Sequence, residues 1–244
     1  WWPEMLDFIG IPEEYLPRIE DSGVLLGTYG SCRVVTGAMD QVAGAIGAGI
    51  VSETVISEMT GTTMAIFANA KEIPPFRADS IIPCHYNFNG KYCLLLWTPT
   101  AGMALKWFKN NLCENFSFRD LDALAEKVPP GSGGLVFLPY LCGSTMPKYN
   151  PDARGCFAGL TLEHTRGHFV RSILESVACM LRENLEYLGI SPEEIRVTGG
   201  GAESPLWCRI KADITGTDLK TLKNKETACL GSAILAGHGI GLFP

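Results

Sequence analysis

Histidine is scarce in this sequence, four residues in 244, and none of the nine cysteines stands in a Cys-x-x-Cys pair. That combination excludes a zinc ribbon or finger. The cysteine count is odd and the residues are scattered from Cys32 to Cys229, which argues against a disulfide framework and for free thiols in a reducing cytosol. No apolar run approaches the roughly 20 residues of a membrane span. The opening Trp1-Trp2-Pro3-Glu4-Met5 lacks the basic-then-apolar order of a signal peptide. The expectation is a cytoplasmic protein without a membrane partner. Positive charge is also short: 20 Lys and Arg against 26 Asp and Glu give a net charge of −6 with no basic stripe. Nucleic acid is therefore not an expected partner. Internal repeats and low-complexity tracts are missing. So is an initiator methionine, and the chain reads as a piece of something longer.

What is present is apolar substance. Hydrophobic residues make up 46% and charged residues 19%, enough for a packed core in one large domain or two small ones. Residues 1–30 carry Pro3, Pro12, Pro17 and the turn signal Asp21-Ser22-Gly23, and they predict irregular structure. A short apolar run over 33–36 predicts a buried strand that ends in Gly37-Ala38-Met39-Asp40. A helix of small residues follows over 41–49. Its Gly44 and Gly47 cost roughly 1 kcal/mol each relative to Ala, so close approach of a neighbour is expected there. Strands are predicted over 54–57 and 63–67 around a turn at Met59 to Thr62, and over 92–97. Helices are predicted over 102–111 and 121–128, a strand over 135–138, and a surface loop over 140–155.

The longest helix is expected over 165–188, with Phe169, Ile173, Val177, Leu181, Leu185 and Leu188 on one face and Gly189 as its cap. Ser191-Pro192-Glu193-Glu194 has the form of a capping box and predicts a short helical turn. A strand over 195–198, a helix over 206–215, a strand over 219–222 and a small-residue helix over 228–237 complete the chain. Strands alternating with helices indicate α/β layers.

Three places carry residues suited to chemistry. Asp40 stands at the end of a strand and the start of a helix, where a carboxylate meets ligands in α/β folds. Asp is equally among the preferred helix N-caps. Thr60-Gly61-Thr62-Thr63 offers backbone N–H groups and hydroxyls for phosphate oxygens, or an ordinary hairpin turn. Gly199-Gly200-Gly201-Ala202-Glu203-Ser204, between strand and helix, removes side chains where something flat or anionic could lie, or makes a tight turn. It is not a G-x-G-x-x-G, so a dinucleotide fingerprint is weak. His164 and His168 are four apart on a helix, but no third metal ligand is near in sequence.

Taken together, these segments resemble the FGGY family of carbohydrate kinases, in its second, C-terminal domain. Five segments match in the family's order: Gly37 to Gln41, Thr60 to Thr63, Thr100 to Trp107, Val197 to Trp207 and Ala228 to Ala233. Leu138 to Gly143 and Gly155 to Leu160 look most like xylulokinases. The resemblance implies an α/β, actin/hexokinase/Hsp70-like ATPase (RNase H-like) fold with a mixed sheet flanked by helices. It implies that residues 1–30 end the interdomain segment and 31–244 form the C-terminal domain, the sugar-binding domain lying outside this chain. It implies ATP and Mg²⁺, a sugar or polyol substrate, and the homodimers common in such families. By the same resemblance Asp40 is the catalytic base and binds substrate with Gln41. Gly61, Thr62, Thr63, Gly102, Lys106, Gly199, Gly200, Gly201, Ala202 and Ser204 contact ATP, and no protein metal ligand is assigned. Two other readings stay open: a non-catalytic actin-like or chaperone-type ATPase-fold protein, and a degenerate kinase that only binds sugar.

Overall fold

The computed structural model describes residues 1–75, 82–87 and 91–242. Its centre is a six-stranded sheet built from β3 (Val55–Thr60), β4 (Met64–Ala70), β5 (Cys84–Tyr86), β6 (Tyr92–Thr98), β9 (Glu194–Thr198) and β10 (Asp218–Thr221), in the order β10-β9-β3-β4-β6-β5. The first three are parallel and the rest antiparallel. The sheet is mixed, as expected. β4 is buried along nearly its whole length because both sheet faces are covered. Met64, Ile66 and Ala68 face one core, and Phe67 faces another.

The larger core lies under α3 (Gly102–Leu112), α4 (Phe118–Glu126), α5 (Arg166–Leu188) and α6 (Pro205–Thr215). α5, 23 residues long, buries Val170, Ile173, Val177, Leu181 and Leu185 at spacings of three and four. Gly189 ends it in a left-handed conformation. α4 begins at Ser117, whose hydroxyl accepts from Asp120 N while Asp120 accepts from Ser117 N.

The other face carries α2 (Asp40–Gly47) and α7 (Thr227–Gly239). They touch backbone to backbone: a Cβ added at Gly47 would lie 1.9 Å from Thr227 O, and one at Gly231 1.8 Å from Ala43 O. The close approach expected from the glycines of the first helix is real at Gly47. At Gly44 a Cβ would meet only an ordinary contact, 3.6 Å from Thr227 Oγ1.

Four expectations are corrected. Residues 1–30 are not irregular: they hold α1 (Pro3–Ile9), a short 3-10 turn and β1 (Leu25–Tyr29). The strand before Asp40, β2 (Cys32–Val35), is exposed rather than buried. Among the described residues it pairs with β1 alone, in a two-stranded hairpin outside the central sheet, and its Val35 end lies against α7, at Gly239. That hairpin joins the two sides of the boundary drawn at residue 30. Ser191 to Glu194 form no helical turn: Glu193 N and Glu194 N donate to Thr54 O, which starts β9 alongside β3. Sheet pairing has overridden a local capping signal. Finally, β8 (Cys156–Ala158) pairs with β7 (Val136–Leu138), and the loop between them tucks Met146 into the core, so 140–155 is not wholly surface.

Candidate functional site

β3 and β9 run parallel, with Met59 opposite Thr198, so their carboxyl ends reach the same sheet edge. Three glycine-bearing turns meet there, at Thr60. A Cβ added at Gly199 would lie 2.7 Å from Thr60 O, one at Gly201 2.7 Å from Thr60 Cβ, and one at Gly102 2.1 Å from Gly61 O. Gly199 is also left-handed, at φ 75°. Gly199 and Gly102 are glycine because backbones touch, and Gly201 because the Thr60 side chain lies against it. The turn after β3 is fastened to α3: Ala101 N and Met103 N both donate to Thr62 O, at 3.2 and 3.0 Å. Segments some 40 and 140 residues downstream are thereby brought against Thr60 to Thr63.

Gly61 and Gly200 behave differently. Neither has a left-handed backbone, and among the described residues, chain neighbours aside, neither has an atom within 4 Å of where a Cβ would sit. The same holds for Gly37, three residues before Asp40. Conformation and packing do not require glycine at these points. Open space against bare backbone is what a close-lying ligand uses.

Beside Gly200 opens a cavity of about 670 Å³ between the ends of β9 and β10, the 3-10 turn Gly200–Glu203 and the approach to α7. Its size lies within the range of small-molecule sites. Thr198, Ala202, Thr221 and Leu222 line it. Glu203 and Lys225 pair at its rim, 2.5 Å apart.

Asp40 is exposed in the first turn of α2, and its Oδ1 accepts from Gln41 N at 2.8 Å. Met39, not Asp40, is the N-cap. The far end of α2 is tied to the opposite sheet edge, where Asn69 Nδ2, near the end of β4, donates to Ile50 O and Ser52 O at 3.0 and 3.1 Å. The Asp40 end therefore points toward the edge that carries Gly61. Gln41 is half-buried beside it, and Lys106 is exposed on the second turn of α3.

Ser204 has its hydroxyl taken up by the fold. It caps α6 by accepting from Trp207 N at 3.0 Å and hydrogen-bonds the carboxylate of Asp122 on α4. Burial pushes the Asp122 carboxyl above its ordinary range, partly offset by the Ser204 bond, with Glu126 adding to the rise. The folded state thus holds its proton to higher pH than the unfolded chain, so this group's contribution favours folding at low pH and fades as pH rises through its folded value. Asp122→Asn should raise the melting temperature at neutral pH and change it little at pH 3, as read by thermal melts at both values.

His164 and His168 hydrogen-bond the backbone that leads into α5. Their Nδ1 atoms accept from Thr161 N and Thr165 N, at 2.8 and 3.1 Å. Among the described residues no cluster of three His, Cys, Asp or Glu is placed to hold a metal.

Two buried residues escaped the sequence reading. Lys211 is 1% exposed and Glu58 0%, and Lys211 Nζ lies 2.8 Å from Glu58 Oε2. The signal was available: Lys211 continues the stripe Trp207, Ile210, Ile214 of α6, and Glu58 shares the strand face of buried Ile56. A charge of each sign at a core position implies a partner.

Comparison with known proteins fits this geometry. The model of the C-terminal domain of the FGGY family of carbohydrate kinases matches residues 60–240. A xylulose kinase of Bacillus subtilis (strain 168) is 32% identical over the whole chain, which covers 52% of that protein. A ligand-bound xylulose kinase from Lactobacillus acidophilus superposes with a TM-score of 0.90 at 26% identity, over all of this chain and 52% of its own. Glycerol kinase from Plasmodium falciparum, solved with ADP, superposes with 0.89 at 26% identity, again over all of this chain and 52% of its own. The architecture is therefore that of the sugar kinases, in the actin/hexokinase-like ATPase fold. The chain belongs to the FGGY family of carbohydrate kinases, as its C-terminal domain. It spans about half the length of the relatives it matches. Among the described residues no helix is long and apolar enough to cross a membrane.

Proposed function

We propose that the full-length protein transfers a phosphoryl group from ATP to a hydroxyl of a sugar or polyol, and that this chain supplies the ATP-binding half of the site. The observation that carries the reading is the pair of bare glycines, Gly61 and Gly200, which packing does not require to be glycine, the second of them lining a cavity of about 670 Å³. They sit where a phosphate chain and a nucleoside would lie. The xylulose kinases among the relatives make xylulose the first sugar to test.

When bound, Mg-ATP would supply the phosphoryl group and its metal would offset phosphate charge. Gly61, Thr62 and Thr63 hold those oxygens through backbone N–H groups and hydroxyls. Gly102 lets the start of α3 approach them, and Lys106 adds a positive charge on the same helix. Gly199, Gly200, Gly201 and Ala202 lie against the nucleoside, and Ser204 keeps that turn in shape. Asp40 orients the attacking hydroxyl and takes its proton as the new O–P bond forms and the bond to the departing ADP breaks. Gln41 helps to hold the sugar. Catalysis of this kind rests on positioning and charge. Nine unpaired thiols agree with a cytoplasmic setting. The proposed homodimer is checked by light scattering on the full-length protein.

Calorimetric titration with Mg-ATP and with adenosine tests the nucleotide half. Thr62→Val should weaken Mg-ATP by about tenfold, the worth of one hydrogen bond to a charged group, and leave adenosine unchanged. Failure of both ligands to bind this chain and a version extended to the length of its relatives would remove the reading. ADP release on adding a panel of sugars separates a kinase from a filament-forming or merely sugar-binding relative.

A further inference from the structure

We propose that Lys211 and Glu58 are positioning residues for the phosphate turn, setting how tightly the phosphates are held while leaving nucleoside binding alone. This rests on the nucleotide reading above. Lys211 is on α6, directly after the Gly199–Gly201 turn, and Glu58 is on β3, directly before the Gly61 turn. Their bond ties the two turns together beneath the site, between residues 153 apart in sequence.

Thr60 is the element they act on. Lys211 Nζ donates to its hydroxyl at 2.8 Å, and the hydroxyl donates in turn to Glu58 Oε1. With one bond accepted and one donated, the hydroxyl is held in a single direction. That fixes the rest of the side chain, and Thr60 Cβ and Cγ2 are the atoms against which Gly201 packs, while Gly102 packs on the carbonyl of the next residue, Gly61. The rotamer of Thr60 therefore sets where the Gly199–Gly201 turn sits against the phosphate turn. Lys211 is held from the other side too. Its Nζ is 5.0 Å from the Trp207 ring centroid, and Trp207 Nε1 donates to Leu174 O on α5 at 3.1 Å.

Stability alone gives no reason for such a pair. Apolar side chains of similar volume often fold as well or better in place of a buried ion pair. What apolar side chains do not do is hold a hydroxyl from both sides. Neither charged residue reaches the ligand, since both are sealed in the core. They act through Thr60.

The deciding variant is the double substitution Glu58→Leu with Lys211→Met, because either single change strands a buried charge and unfolds the core for reasons unrelated to the site. In the titration described above, the double variant should bind adenosine within about twofold of wild type and Mg-ATP about tenfold more weakly. Thr60→Val, which keeps the shape and the ion pair but removes the hydroxyl, should show the same selective loss. Thr60→Ser should restore part of it. Wild-type Mg-ATP affinity in a folded double variant, or in Thr60→Val if the double variant does not fold, would make the pair a folding element only and overturn the proposal. No binding of either ligand by wild type would overturn it together with the nucleotide reading.

Discussion

Asp40→Asn in the full-length protein is expected to cut turnover by about 10²–10⁴-fold while leaving Mg-ATP affinity unchanged. The substitution keeps the size of the side chain and the oxygen that accepts from Gln41 N. The first turn of α2 should therefore hold its shape. Asp40 is exposed, so no core is disturbed. What disappears is the ability to take a proton from the attacking hydroxyl. Coupled measurement of ADP release with saturating sugar reads the turnover, and calorimetry reads the nucleotide. Turnover within a few-fold of wild type would take Asp40 out of the catalytic role and leave it a residue of the helix start.

Gly231→Ala is expected to cost about 3 kcal/mol of stability or more, at the upper end of what overpacking does. The added methyl would lie 1.8 Å from Ala43 O and 2.9 Å from Gly47 N. Both are backbone atoms of a helix, so no side chain can swing away. α2 and α7 would have to separate, and α2 carries Asp40 at its end. A fall in melting temperature of about 6–12 °C should follow for a chain of this size. Turnover of the full-length protein should drop as well below the melting point. Gly200→Ala is the control. Its Cβ enters open space, so the melting temperature should stay within about 2 °C while nucleotide affinity falls. A Gly231→Ala protein as stable as wild type would show that the helix contact is looser than described. An unchanged nucleotide affinity in Gly200→Ala would show that the open space is not where the ligand lies.

These two glycines illustrate how far sequence could go. Gly231 and Gly200 both stand among small residues, one inside the last helix and one in the turn before α6. One is glycine because another helix touches it, and the other has nothing near it. The same division runs through the triple glycine: Gly199 and Gly201 serve packing against Thr60, and the residue between them faces open space. Ser204 shows the reverse case. It sits in a motif associated with nucleotide contact, yet its hydroxyl is spent on Trp207 N and Asp122.

By itself the sequence determined the helices with a clear apolar face, the central strands, the order of the glycine segments and, through that order, the family. Those features depend on residues three, four or two apart, and the local backbone reads them directly. Only the tertiary structure decided that the strand before Asp40 is an exposed hairpin arm, that Ser191 to Glu194 join a sheet instead of starting a helix, and that Lys211 meets Glu58 under the phosphate turn. Each of these depends on pairing between distant segments. Burial of a charge, and the fate of a backbone N–H, are settled by whichever segment arrives alongside, and no local pattern carries that information.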